Sequence, residues 1–376
     1  MLPITPIPQP PGRGRLRLPG PARPSIRREQ TMSTFWATRA AGTLKAALPR
    51  GCRALAAVTV LALPLATGAA AAASARPAVA PSYRVIATIP VDSAGTVDVN
   101  PVTGRVYVTQ EFDNTMSVIN GRTNQVTATI PAGNRPFAVA VNPLTNTAYV
   151  ANFYLPGGTV SVINGRTNQV TATIPGGHYP YAVAVNPVTN TVYVDNDVDG
   201  TVSVINGRTD EVTATIHAGA GGYGVAVDPF TDTVYVPDVV NNTVSVINGR
   251  TNQVTATIPV GGAPYGLALD PVTNTVYVAN SNDNTVSVIN GRTNKVIATI
   301  GVGGYPWQVA VNPLTNTAFV ANSNDNTVSV ISGRTNKVTA TIGVGGLPYG
   351  MAVNPATGRL YVVNAGDGTV SVITPH

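Results

Sequence analysis

From residue 84 onward the chain is built of short runs in which apolar and polar residues alternate or cluster. One stretch shows the pattern: GLAL (266–269), TVYVAN (275–280), TVSVIN (285–290) and KVIATI (295–300). Runs of this length, rich in Val, Ile and Thr and close to a period of two, predict β-strands. Turn chemistry separates them. Asn/Asp-Pro-x-Thr-Asn/Gly follows the first run, where an Asx side chain can cap the turn and Pro fixes φ. Asn-Gly follows the third, a hairpin signal because the pair tolerates positive φ. No segment sustains a 3.6-residue period, so helices are not expected.

The pattern repeats. An Asx-Pro pair recurs at Asn100, Asn142, Asn186, Asp228, Asp270, Asn312 and Asn354, a spacing of 42 residues with one of 44. Four antiparallel strands per unit of this length predict a propeller blade. Seven innermost runs are present: 97–99, 138–141, 182–185, 224–227, 266–269, 308–311 and 350–353. After the last of these, only two further runs precede the C-terminus. RVIATI (84–89), which matches KVIATI, stands unpaired at the other end. The expected fold is therefore an all-β, seven-bladed β-propeller of four-stranded antiparallel blades. The N-terminal strand completes the last blade, three strands from one end and one from the other, and removes an open edge.

The unit TNTVYVANSNDNTVSVINGRTNKVIATI (273–300) resembles the YVTN-type β-propeller repeat of YncE-like secreted bacterial proteins and archaeal surface-layer proteins. The resemblance covers about residues 83–374 and implies the same propeller fold. Propellers related to this type include binding modules, surface-layer components, lactonases, streptogramin lyases and redox-enzyme subunits, so it leaves the activity open. None of the motifs of those enzymes stands in this chain.

Charge refines the picture. The formal net charge is +6, but residues 1–75 hold ten of the 23 Lys and Arg and only one acidic residue, Glu29. The remainder carries 13 positive and 16 negative charges, so a nucleic-acid partner is not expected. Residues 1–31 are Pro- and Arg-rich and precede Met32, which suggests an over-called start. Residues 32–75 read as a secretory signal: Arg39, Lys45, Arg50 and Arg53, the apolar segment 54–73, then Ala73-Ser74-Ala75 as a cleavage site. A membrane anchor is the competing reading of 54–73, against which stand its Ala-rich composition, Pro64 and Gly68. The expectation is a short linker at 76–82, a propeller at 83–376, export to the cell exterior, and no membrane span after cleavage. The single cysteine, Cys52, lies in the leader, which leaves the exported part without disulfides, thiolate catalysis or cysteine ligands.

Candidate chemistry lies where the copies differ. The loops between strands 1–2 and 3–4 are monotonous, and Arg122, Arg166, Arg208, Arg250, Arg292 and Arg334 recur there, read as solvated turn residues. The 2–3 and 4–1 loops vary and form the expected binding face, with Glu111, Arg135, Tyr154, His178 and His217 as candidate contacts. Phe137, Tyr181, Tyr223, Tyr265, Trp307 and Tyr349 share one repeat position at the entry to the innermost strand. They would ring the channel, either as inter-blade packing or as a stacking collar, with a gap at the first copy, where Gly95 and Thr96 stand. Asp195, Asp197 and Asp199 open with the D-x-D-x-D-G spacing of a calcium loop, but the twelfth position is Asn206 rather than Glu, and Asp199 has turn equivalents in other blades. Ca²⁺ is thus the one cofactor that the spacing suggests. His178 and His217 with Glu111 or Asp197 could supply acid–base chemistry or hold a metal, the basis of an alternative hydrolase or lyase reading, lactonase-like or streptogramin-lyase-like, with a site at the channel mouth. The preferred expectation is a non-enzymatic module, a monomer, binding a protein or glycan at the cell envelope.

Overall fold

A computed structural model describes residues 82–154, 157–219 and 222–376. The leader and all but Ser82 of the linker lie outside the described residues. Twenty-eight strands form seven four-stranded antiparallel sheets. Six are continuous in sequence; blade five, for example, is β18 (Pro264–Asp270), β19 (Thr275–Asn280), β20 (Thr285–Asn290) and β21 (Lys295–Gly301). The seventh is β26 (Pro348–Asn354), β27 (Arg359–Asn364) and β28 (Thr369–Pro375), completed by β1 (Tyr83–Pro90). β1 pairs antiparallel with β28 from Tyr83↔Pro375 to Pro90↔Thr369, the expected three-plus-one closure.

Burial grades outward through each blade. In blade five the innermost strand is wholly buried, the next two are buried except at their ends, and the fourth is mostly exposed. The inner strands are buried on both faces because blades stack side by side. Each apolar cluster along a seam draws on two neighbours: Val202, Val204 and Ile216 of blade three pack with Val225, Val234 and Val236 of blade four. Burying such side chains stabilises by about 1.5–3 kcal/mol each, and this seam-by-seam core is what holds the ring together.

The turns refine the expectation. Asn100 Oδ1 accepts the N–H groups of Val102 (2.9 Å) and Thr103 (3.1 Å), as the Asx-cap reading requires. The NGRTN turns are built the same way, with Asn120 Oδ1 accepting from Arg122 and Thr123. Positive φ falls on the last residue, Asn124 (58°), and not on Gly121. The Gly is required for another reason: a buried Tyr of the preceding blade points its hydroxyl at it. A Cβ at Gly165 would lie 2.7 Å from the Tyr107 hydroxyl, and one at Gly249 would lie 2.4 Å from that of Tyr193. Tyr361 of blade seven donates to Gly121 O of blade one (3.3 Å), carrying the contact across the closure. Phe replaces Tyr once, at Phe319, where the next blade ends at the C-terminus and has no NGRTN turn. Tyr83 packs edge-on against that ring instead (5.7 Å, 86°).

One strand is shorter than expected. Blade four begins with β14 (Ala226–Asp228), while the innermost strands of the other six blades have seven residues.

Candidate functional site

At or just before the innermost strand, six of the seven blades place one aromatic at the mouth of the channel on the variable face. Phe137, Tyr181, Tyr223, Tyr265, Trp307 and Tyr349 make one cluster. Successive ring centroids lie 5.0 Å (Phe137–Tyr181), 5.3 Å, 5.0 Å, 4.7 Å and 5.2 Å apart. The expected gap is absent, because Tyr349 and Phe137 meet at 6.1 Å across blade one. Blade one allows this by presenting small residues. Thr96 Oγ1 and Thr109 Oγ1 both donate to Phe137 O, at 3.0 Å and 2.9 Å. The ring is a floor: five of its members are buried and Tyr349 is half-buried. The Trp307 indole N–H finds no acceptor among the described residues.

A second tier stands on this floor that sequence reasoning missed. Phe153 stacks on Tyr181 (4.5 Å, 29°) and meets Tyr179 (4.6 Å), while Tyr305 stacks on Trp307 (5.4 Å, 28°). Tyr179 and Tyr305 are half-buried. The missed signal was the triplet aromatic-Pro-aromatic, Tyr179-Pro180-Tyr181 and Tyr305-Pro306-Trp307, which only two blades carry. Both first tyrosines adopt positive φ (56° and 53°), which turns them back over the ring.

The charged candidates resolve into pairs. Arg135 and Glu111 form an ion pair, and the guanidinium lies 4.7 Å from the centre of the Phe153 ring. The His178 ring meets Asp199 Oδ1 at 2.9 Å, and its backbone N–H donates to Asp199 Oδ2. These bonds hold the Asp199 carboxyl below the ordinary carboxylate value. Asp283, Asp325 and Asp367 accept the same loop N–H in other blades, so Asp199 is a turn residue to which blade three adds a His. His217 ends β13 (Glu211–His217) and is exposed, and no hydrogen bond or ion pair among the described residues joins it to His178. Tyr154 is 50% exposed beside the second tier.

The three aspartates occupy separate environments. Asp195 lies within β11 (Thr191–Asn196) and is 1% exposed, facing blade four. It accepts the Gly224 N–H, its Oδ2 is unpartnered, and burial pushes its carboxyl well above the ordinary value, with Asp197 and Asp238 adding repulsion. Asp197 lies in the turn beyond, its backbone N–H donating to Tyr179 O. Among the described residues no group of three or more His, Cys, Asp or Glu is arranged to hold a metal ion. The alternate spacing fails to converge because Asp195 belongs to a paired strand and points into the seam, while Asp199 turns out to His178.

Buried polar residues of the innermost strands were also missed. Asp98 stands where the other blades have Ala and accepts Val99 N–H (2.7 Å) and Val141 N–H (2.8 Å), and Gln308 Oε1 accepts Met351 N–H. Each ties one blade to the next, a structural use.

No family model matches the chain. A segment of 49 residues is 53% identical to PE-PGRS family protein PE_PGRS18 of Mycobacterium tuberculosis (strain ATCC 25618 / H37Rv); it is 13% of this chain and only 10% of that protein. Among solved structures the chain is similar to Kuenenia stuttgartiensis hydrazine synthase, with a TM-score of 0.67 at 17% identity over 76% of this chain and 95% of that one. At that identity the likeness concerns the fold alone, and the chain is a seven-bladed β-propeller.

Proposed function

We propose that this propeller is an exported, non-enzymatic binding module of the YVTN/YncE-like kind that takes a glycan at the cell envelope through its variable face. One observation carries the reading. The channel mouth is floored by a closed aromatic ring on which Tyr179 and Tyr305 stand half-buried, beside the half-buried Tyr349. Such rings offer flat apolar faces for the C–H faces of sugars, and their phenolic groups and the Arg135–Glu111 pair offer hydrogen bonds at the rim. The upper-tier tyrosines depart from the repeat: where blades three and six carry Tyr179 and Tyr305, blades two, five and seven have Arg135, Ala263 and Leu347.

The test is binding of envelope polysaccharide fragments by calorimetry. Tyr179→Ala and Tyr305→Ala are each expected to weaken binding by about tenfold, the loss of one stacking contact of roughly 1–1.5 kcal/mol. Saturable binding that both variants leave unchanged would sink the aromatic site, and capture of a protein with no glycan affinity would sink the glycan assignment.

A further inference from the structure

The opposite face carries a second, independent surface. It is made of the seven 1–2 turns and the six 3–4 turns, each four residues long, with the ends of β28 and β1 in place of the last turn in blade seven, so no turn stands above its neighbours. Around the channel the residue after each turn Pro is apolar and exposed: Val102 (74%), Leu144 (66%), Val188 (59%), Phe230 (48%), Val272 (43%) and Leu314 (63%). The turn needs its Asx and its Pro; nothing in its geometry calls for an apolar side chain at the next position. Outside this ring lie Arg122, Arg166, Arg208, Arg250, Arg292 and Arg334, all exposed, none with a side-chain hydrogen bond or ion pair among the described residues. Arg84, Lys295 and Lys337, also exposed, begin outermost strands at the same end.

The acidic residues are elsewhere. Asp113, Asp197, Asp199, Asp283, Asp325 and Asp367 all sit in 2–3 turns of the variable face. On the turn face Asp228, Asp232 and Asp270 are buried, which leaves Asp210 and Glu211 as its counter-charges. The net negative charge of the propeller therefore conceals a segregation by face, and solvated turn residues of either sign would not produce it.

We propose that this face docks on an anionic phospholipid bilayer, with the guanidiniums on lipid phosphates and the inner apolar ring at the headgroup–acyl boundary. An even disc with an apolar centre and a cationic rim matches a planar surface that is apolar below and anionic above. A linear polyanion would follow a path and leave the apolar ring unused. The acidic face of a second copy carries loops of unequal length and is a poor fit to an even one. The inference does not rest on the glycan reading, which concerns the other face.

The experiment uses the full chain with Cys52→Ser and a single new cysteine, Leu144→Cys on the turn face or Val240→Cys on the variable face, carrying an environment-sensitive fluorophore. With phosphatidylcholine vesicles containing a minority of phosphatidylglycerol, a blue shift is expected at 144 and none at 240. Arg208→Gln/Arg250→Gln is expected to lower the affinity about 30-fold, roughly fivefold per charge removed. Equal shifts at both labels, or an affinity unchanged in the double variant, would assign binding to the N-terminal apolar segment and overturn the proposal. Absence of binding to anionic vesicles would overturn it too, including in the case where the face instead captures an acidic protein.

Discussion

At the scale of single residues, the departures from the repeat separate into those the fold absorbs and those it does not. Asp98 and Gln308 are absorbed, since each accepts a backbone N–H of the neighbouring blade. Asp195 is not: it places a carboxylate where blades two, five and six have Ala151, Ala279 and Ala321, and one of its oxygens has no partner. Its folded pKa lies well above 3.8, so the native state binds more protons than the unfolded state above that pH. Stability should fall as pH rises from near 3.8 through the raised value and level off beyond it. Asp195→Asn should remove this slope and add about 1–3 kcal/mol at neutral pH; urea melts at a series of pH values measure both. A variant less stable than the parent at neutral pH would show that the charge is compensated.

The residue scale is also where the sequence was least legible. The position of the aromatic ring could be read from its repeat, but its closure could not, because the Tyr349–Phe137 contact spans blade one and depends on how small Gly95 and Thr96 are in space. Glu111, Arg135 and His178 were visible as odd residues in variable loops. That they satisfy one another or Asp199 follows from which loops the ring brings side by side, and no spacing along the chain encodes that.

At the scale of elements, most of the structure was legible. Strand number, order and the three-plus-one closure follow from alternation and period, because a strand shifted by one residue would expose its apolar face. What the alternation left out was the reason for particular turn residues. The NGRTN glycine is held by the room that the Tyr of the preceding blade needs, and Gly249→Ala should overpack the Tyr193 hydroxyl and cost about 1–3 kcal/mol in chemical denaturation. Gly301→Ala, in a blade of the same design, meets no atom within 4 Å and should stay within about 0.5 kcal/mol of the parent. Equal losses in the two would mean that backbone freedom, rather than the Tyr contact, decides the position. The shortened β14 was not foreseen, although Gly222 stands where five other blades open the innermost strand with Pro.

At the scale of the whole molecule, the ring has no privileged blade in its packing, yet it has a marked one. Tyr107, Tyr149, Tyr193, Tyr235, Tyr277 and Tyr361 reach toward a turn of the following blade, and Phe319 alone does not, because in blade seven no turn joins β28 to β1. The seam is thus recorded as one missing oxygen atom. A rearranged chain makes this measurable: join the ends of β28 and β1 through an NGRTN turn, and open the chain at 207–210 in blade three. In that circular form Phe319→Tyr should become favourable by about 1 kcal/mol, and Tyr149→Phe, whose hydroxyl faces Gly207, should become nearly neutral. In the natural arrangement the same two changes should each be unfavourable. An aromatic hydroxyl thus serves as an address, and its absence marks the blade in which β1 and β28 close the circle.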